Sequence, residues 1–263
     1  MDTVSVPRFV PTASIAVLIP ARRASTRLPE KLLLAEHGEP VIVTASKMAA
    51  QAYGAQSVIV CVDDQALSAA VTSAGLAARL TRHDHQSGTD RIAEVAATLS
   101  AEIIVNVQGD EPEMEPEHIR LVASLLQQHP WAGMATLCVA GGPAEQVNPN
   151  NVKVILGHGN RCLWFTRAPA VFDRDAGRPS ATCHRHLGIY AYRRDVLLGF
   201  QQLPDSPLEY TEKLEQLRPL EAGMGIACAV VQHAVPGIDV RSDYDAFLAR
   251  RKNRPGPRAL LLT

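Results

Sequence analysis

Residues 21–31 read Ala-Arg-Arg-Ala-Ser-Thr-Arg-Leu-Pro-Glu-Lys, which sets four cations (Arg22, Arg23, Arg27, Lys31) and two hydroxyls in one short stretch. Guanidinium forks match pairs of phosphate oxygens, an ammonium adds a point charge and loop amides add donors, so the stretch can hold a triphosphate without a Walker glycine pattern. A solvated basic loop would carry the same residues. Residues 81–91, TRHDHQSGTDR, place Ser87 or Thr89 where it can cap a helix, whose free amides suit an anion or a base edge. His83, Asp84 and His85 are consecutive, and consecutive residues of an extended segment face opposite sides, so surface or hydrogen-bonding roles are expected of them rather than a metal site.

The strongest local signal is residues 105–112, VNVQGDEP, where an apolar run delivers Asp110 through a glycine turn. A carboxylate so placed is a plausible ligand for Mg²⁺, which takes one or two carboxylates with water and substrate phosphates. Asp110 therefore needs a partner from elsewhere. The distant candidate is Asp239 in residues 235–240, VPGIDV, although a loop carboxylate or helix cap reads the same way and Ser242 and Asp243 compete for the capping role. Glu111, Glu113, Glu115 and Glu117 read as a solvated acidic turn and helix start.

These stretches sit at the ends of alternating elements. Apolar or β-branched runs at 15–20, 57–62, 78–80 and 103–107 predict strands, and 40–53, 64–74, 89–100 and 117–128 predict helices between them, an α/β sheet with mostly parallel strands. The basic loop and Asp110 then follow the first and fourth strands, and ligands sit at the carboxyl edge of such sheets. Short strands are expected at 135–139, 152–156, 162–165 and 187–192, an inserted mixed or antiparallel layer. A charged helix over 208–220, a strand over 226–231 and a helix over 242–250 complete the pattern. Residues 1–14 read as a leader and 251–263 as a tail, around one domain over 15–250.

The chain has 263 residues, 46% of them hydrophobic, enough for a sizeable core, and 26 Lys and Arg against 27 Asp and Glu. No net field draws nucleic acid or a membrane surface, so neither partner is expected. Five scattered cysteines form no C-x-x-C pair, and no early apolar run is long enough for a signal or membrane segment, which predicts a cytoplasmic protein.

Taken together, IPARRASTRLPEK, TRHDHQSGTDR, VNVQGDEP, NPNNVKV, RHLGIYAYR and LEYTEKLEQLR resemble the CMP-Kdo synthetase (3-deoxy-manno-octulosonate cytidylyltransferase) family in order and approximate spacing, from Ile15 to about Arg250. The resemblance implies a nucleotidyltransferase-type, Rossmann-like three-layer fold, a homodimer with residues 135–200 serving acceptor binding and dimerisation, and Mg²⁺. It also implies CTP as donor and 3-deoxy-manno-octulosonate (Kdo) as acceptor, with pyrophosphate leaving. By the same resemblance Arg22, Ser25, Arg27 and Lys31 belong to the triphosphate loop, with Arg22 and Lys31 catalytic alongside Asp110. Arg82, Ser87 and Gln108 are the nucleotide's other neighbours, and Asp110 and Asp239 the metal carboxylates. Arg167, His186, Tyr190, Glu215 and Gln216 approach the sugar acid, for which an Arg suits the carboxylate and the others suit hydroxyls.

The chain departs from the family pattern at Glu30, where Gly is usual, which puts a carboxylate beside Lys31 and lets it draw Lys31 into a local pair. The common Thr after Asp239 is also missing. Rival readings are a cytidylyltransferase for another acid (amino-substituted Kdo, a sialic-type sugar or a phosphonate) and a catalytically silent homologue. A nicotinamide oxidoreductase lacks its G-x-G-x-x-G here, and a serine hydrolase its G-x-S-x-G.

Overall fold

The computed structural model describes residues 14–180 and 182–253. The expected leader therefore lies outside the described residues except for Ser14, and so does the expected tail beyond residue 253.

The parallel half forms as the residue pattern dictates. Strands β1 (Ile15–Ala21), β2 (Val58–Val62), β3 (Ala77–Leu80) and β4 (Ile103–Asn106) alternate with helices α1 (Val41–Tyr53), α2 (Gln65–Ser73) and α3 (Gly88–Ala96). The helix starts are written locally: Asp64 accepts from the Ala66 amide ahead of α2, and Ser87 accepts from the Asp90 amide ahead of α3. Helix α4 (Pro116–Gln128) opens on a proline, whose missing amide hydrogen costs nothing at that position.

The remaining strands are β5 (Ala132–Gly141), β6 (Lys153–Leu156), β7 (Cys162–Thr166), β8 (Phe172–Asp173), β9 (Arg178–Pro179), β10 (Cys183–Arg193) and β11 (Gly225–Val231). The main sheet runs β11-β5-β10-β4-β1-β2-β3, with β6 and β7 carried on the amino-terminal half of β10. Along that path β10 alone is antiparallel to its neighbours. The expected antiparallel strands are present and continuous with the main sheet, and β8 and β9 form a separate small hairpin.

Two cores lie on the two faces. Val17 and Ile19 point into one with Ile42, Val105 and Phe247, while Leu18 points into the other with Ile92, Ile104 and Phe165. Every residue of β1 after Ile15 is buried, as an apolar run without alternation requires. The chain order matters most at β1, which pairs with β2 on one side and β4 on the other. The loops leaving β1 and β4 thus part at a topological switch point and leave a crevice between them.

Three expectations are corrected. The helix over 208–220 is broken into α7 (Pro207–Glu212) and α8 (Leu217–Glu221), with Lys213 in the left-handed region at φ 55. Short helices α5 (Pro143–Val147) and α6 (Arg194–Leu198) occupy stretches too short to show a helical period. The last helix, α9 (Arg241–Asn253), runs on into the expected tail.

Candidate active site

The loop after β1 is basic on its outer side and apolar beneath. Leu28 and Leu32 are buried in the core, and a single 3-10 turn over Lys31–Leu33 turns Lys31 inward, where it is 9% exposed. Glu30, just before the turn, has φ 54, a backbone conformation that favours glycine. Its carboxylate accepts from Arg23 Nε at 3.0 Å, not from Lys31, and Arg23 is tied in turn to Asp63 and Asp64. The anticipated local Glu30–Lys31 pair is therefore replaced by a clasp within the loop.

Lys31 reaches instead across the switch-point crevice. Its Nζ lies 2.5 Å from Asp110 Oδ2 and 3.5 Å from Asp239 Oδ1, and Arg27 Nη2 donates to the same Asp239 oxygen at 2.8 Å. Asp110 gets there because Gly109 passes close to β1: a Cβ at Gly109 would come within 3.2 Å of the Pro20 carbonyl and 2.8 Å of Ile42 Cδ1. Asp239 is delivered by the turn before α9, where the Ile238 amide donates to the Asp110 carbonyl at 2.9 Å and Ile238 itself is buried. Asp243 takes the capping role, accepting from the amides of Asp239 and Val240, so the Asp239 carboxylate stays available.

Two cavities meet at these carboxylates. A cup of about 320 Å³ is lined by Arg22, Ser25, Arg27, Lys31 and Gln108, and a cleft of about 1320 Å³ by Gln108, Arg167, His186, Tyr190, Glu215 and Gln216. Asp110 and Asp239 line both. Of the residues expected near a nucleotide, Arg82 and Ser87 line neither cavity. Arg82 is held by Asp84 at 2.7 and 2.9 Å on the surface, and the Ser87 hydroxyl is spent on its cap. His85 likewise bonds Glu94, the ordinary role expected of it.

In the large cleft each expected side chain is positioned by a partner. Thr136 Oγ1 donates to the Ile189 carbonyl at 2.7 Å and lies 2.8 Å from His186 Nε2, so Nε2 carries the ring proton and Nδ1 is left as an acceptor. Burial, helped by the Arg185 charge, pushes His186 down to about 3 and keeps it neutral. Tyr190 packs on that ring with centroids 5.3 Å apart, and burial raises its phenol well above the usual range. Glu215 is not a solvated helix residue: Thr89 Oγ1 donates to it at 2.6 Å, and burial raises its carboxyl. Arg167 is held by its Nε on the Glu212 carbonyl at 2.7 Å and Nη1 on the Pro149 carbonyl at 3.1 Å.

Two positions, Lys153 and Arg91, escaped the sequence reading. Lys153 is fully buried, its ammonium donating to the carbonyls of Asn148 (3.0 Å), Asn151 (2.8 Å) and Arg167, so it organises the 148–151 loop beside the cleft. A lysine inside the apolar stretch VKVIL was the available signal. Arg91, buried in α3, lines the cup and bonds Thr81, the Arg82 carbonyl and Asp63. Of the acidic turn only Glu117 is exposed as expected: Glu113 is 6% exposed and accepts from Arg250, Glu115 pairs with His233, and Glu111 lines the large cleft. Burial and the nearby Asp110 and Asp239 charges, opposed by Arg185, push the Glu111 carboxyl up to about 8.

The family model described as "Cytidylyltransferase" matches residues 16–226. The 3-deoxy-manno-octulosonate cytidylyltransferase of Rhodopirellula baltica is 48% identical over 89% of this chain and 97% of its own length. That of Escherichia coli is 42% identical over 85% and 90%. This chain belongs to the 3-deoxy-manno-octulosonate cytidylyltransferase family. A solved CMP:2-keto-3-deoxy-manno-octonic acid synthetase complexed with CTP superposes with a TM-score of 0.87 at 39% identity, over 91% of this chain and 99% of that one. A Leptospira borgpetersenii cytidylyltransferase at 16% identity and TM-score 0.62 shows the fold alone. As a member of the cytidylyltransferase family the chain is a nucleotidyltransferase, and the expected α/β fold and family are borne out.

Proposed function

We propose that this chain transfers a cytidylyl group from CTP to 3-deoxy-manno-octulosonate, releasing pyrophosphate. The observation that carries the reading is the seam between the two cavities, where a cationic cup and a cleft rich in hydrogen-bonding groups share Asp110 and Asp239. The relatives named for this reaction support the donor and acceptor.

The donor set fits a hard divalent cation. Two carboxylates from distant parts of the chain converge on one point, and the Lys31 ammonium already sits there as a cationic stand-in. A pair of carboxylates suits Mg²⁺, whose shell phosphates and water complete. Asp110 and Asp239 would hold the ion, and when bound it supplies Lewis-acid neutralisation of phosphate charge.

The chain's own residues do the rest. Arg22, Ser25, Arg27 and Lys31 hold the β- and γ-phosphates and stabilise the negative charge that develops on the departing pyrophosphate. Gln108, which lines both cavities, spans from nucleotide to acceptor. Arg167 approaches the acid's carboxylate, while His186, Tyr190, Glu215 and Gln216 orient its hydroxyls, so that the anomeric oxygen lies in line with the α-phosphorus and the bond to pyrophosphate. Arg82 and Ser87 stay outside this assignment. The enzyme works in the cytoplasm as a homodimer; the exposed Val147, Leu163, Val171 and Phe172, all within residues 135–200, support a covered surface there.

The test is pyrophosphate release from CTP or UTP with a panel of keto-sugar acids, with and without Mg²⁺. Turnover with CTP and Kdo is expected; turnover confined to a different acid would overturn the acceptor, and none with any acid would overturn the catalytic reading.

A further inference from the structure

The Arg185 guanidinium and the Glu111 carboxyl of the large cleft have no hydrogen-bond or ion-pair partner among the described residues. Arg185, on β10 beside His186, lines the cleft, and its guanidinium makes no hydrogen bond or ion pair with another described residue. The same holds for the carboxyl of Glu111, although each feels the other's charge.

Packing, not bonding, fixes Glu111. A Cβ on Gly188, at the bulge of β10, would lie 3.2 Å from Glu111 Oε1, and one on Gly237 would lie 3.1 Å from its Cγ. The side chain thus occupies a slot that two glycines keep open, one on each side, with its oxygens left for the cleft. The other cations of this cleft are committed: Arg27 to Asp239, Arg167 to two main-chain carbonyls, and Lys213 to the face of Tyr210 at 3.9 Å. A half-buried guanidinium and carboxyl group that face a cleft and bond nothing in it favour a ligand that supplies their hydrogen bonds.

The chemistry of that something follows from the pair. A cation placed here meets Arg185, whereas neighbouring hydroxyls, donors and acceptors at once, satisfy the guanidinium and the carboxyl group together. We propose that Glu111 and Arg185 bind the hydroxyl-bearing body of the acceptor, Glu111 accepting from one hydroxyl and Arg185 donating to the oxygen of its neighbour. The pair then makes the cleft specific for a polyhydroxylated acid over a simple 2-keto acid, because a ligand lacking those hydroxyls leaves both groups unpaired. This rests on the proposed function and refines its acceptor side.

The experiment measures kcat, the KM for Kdo and the KM for CTP in Glu111→Gln, Arg185→Gln and the conservative Arg185→Lys. Arg185→Gln is expected to raise the KM for Kdo about tenfold or more, the effect of losing a hydrogen bond to a charged group, and Glu111→Gln about threefold, because the amide keeps one acceptor oxygen, with the KM for CTP within about twofold in both. Arg185→Lys should recover part of the loss. A KM for Kdo within about twofold of the unaltered enzyme in both Gln variants, or a KM for CTP that rises in step with it, would overturn the assignment. Should Arg185→Gln not fold, Arg185→Lys and Glu111→Gln carry the same comparison. An unaltered enzyme inert toward Kdo is a separate failure, that of the proposed function, and it is seen before any variant is made.

Discussion

At the scale of single residues, the geometry concentrates its demands on Asp110 and His186. Asp110 meets Lys31 at 2.5 Å with the carboxylate still 31% exposed to the two cavities. Asp110→Asn keeps the shape and removes the charge, so turnover should fall about a hundredfold to a thousandfold, the usual scale for losing one element of transition-state charge stabilisation. Far-UV circular dichroism should be unchanged, and near-normal rates would reject the metal role. His186 gives a stability prediction with a definite sign. Its folded-state value is pushed to about 3 from an ordinary 6.5, so between those limits the unfolded chain binds the extra proton and stability falls as pH falls. From pH 6.5 to 5 this amounts to about 1 kcal/mol, half the full linkage value because the ring is partly open to the cleft. Melting curves of His186→Gln should show a correspondingly shallower loss over that window, and an identical slope would remove His186 as its source.

At the scale of elements, the site depends on loops that strands and helices hold in register. Lys153, at the start of β6, holds the 148–151 loop and the Arg167 carbonyl together. Lys153→Met would leave three main-chain carbonyls short of a donor, and we expect a loss of about 3 kcal/mol in urea unfolding, with a raised KM for the acid acceptor. A loss below about 0.5 kcal/mol would show that water replaces the ammonium. The parallel half of the sheet was legible in advance because apolar runs of strand length alternate with capped helices, and Asp64 and Ser87 do cap as their positions suggest. The break at Lys213 was not legible. Residues 208–220 carry a continuous helical pattern, and burying Glu215 and Gln216 in the cleft outweighs continuing it.

At the scale of the whole molecule, the site exists because the sheet's order brings together residues that are far apart along the chain. Lys31 and Asp239 are 208 positions apart, yet share an oxygen contact. Lys31 and Arg27 already neutralise the paired carboxylates, so chelating the divalent ion should abolish pyrophosphate release while leaving circular dichroism and the melting temperature essentially unaltered. A large drop in melting temperature on chelation would mean that the ion is structural. The chemistry of the loops was readable from residue types alone: cations after β1, a carboxylate at the end of β4, a capping serine before α3. Local sequence determines these because strands, caps and glycine turns are set by nearest neighbours. Tertiary structure alone decided that Asp110 and Asp239 face one another, that Arg82 stands clear of both cavities, that Glu111 lines the cleft and that Lys153 is withdrawn from solvent. Burial and convergence depend on strand order and on what packs opposite, and neither is encoded in spacing along the chain.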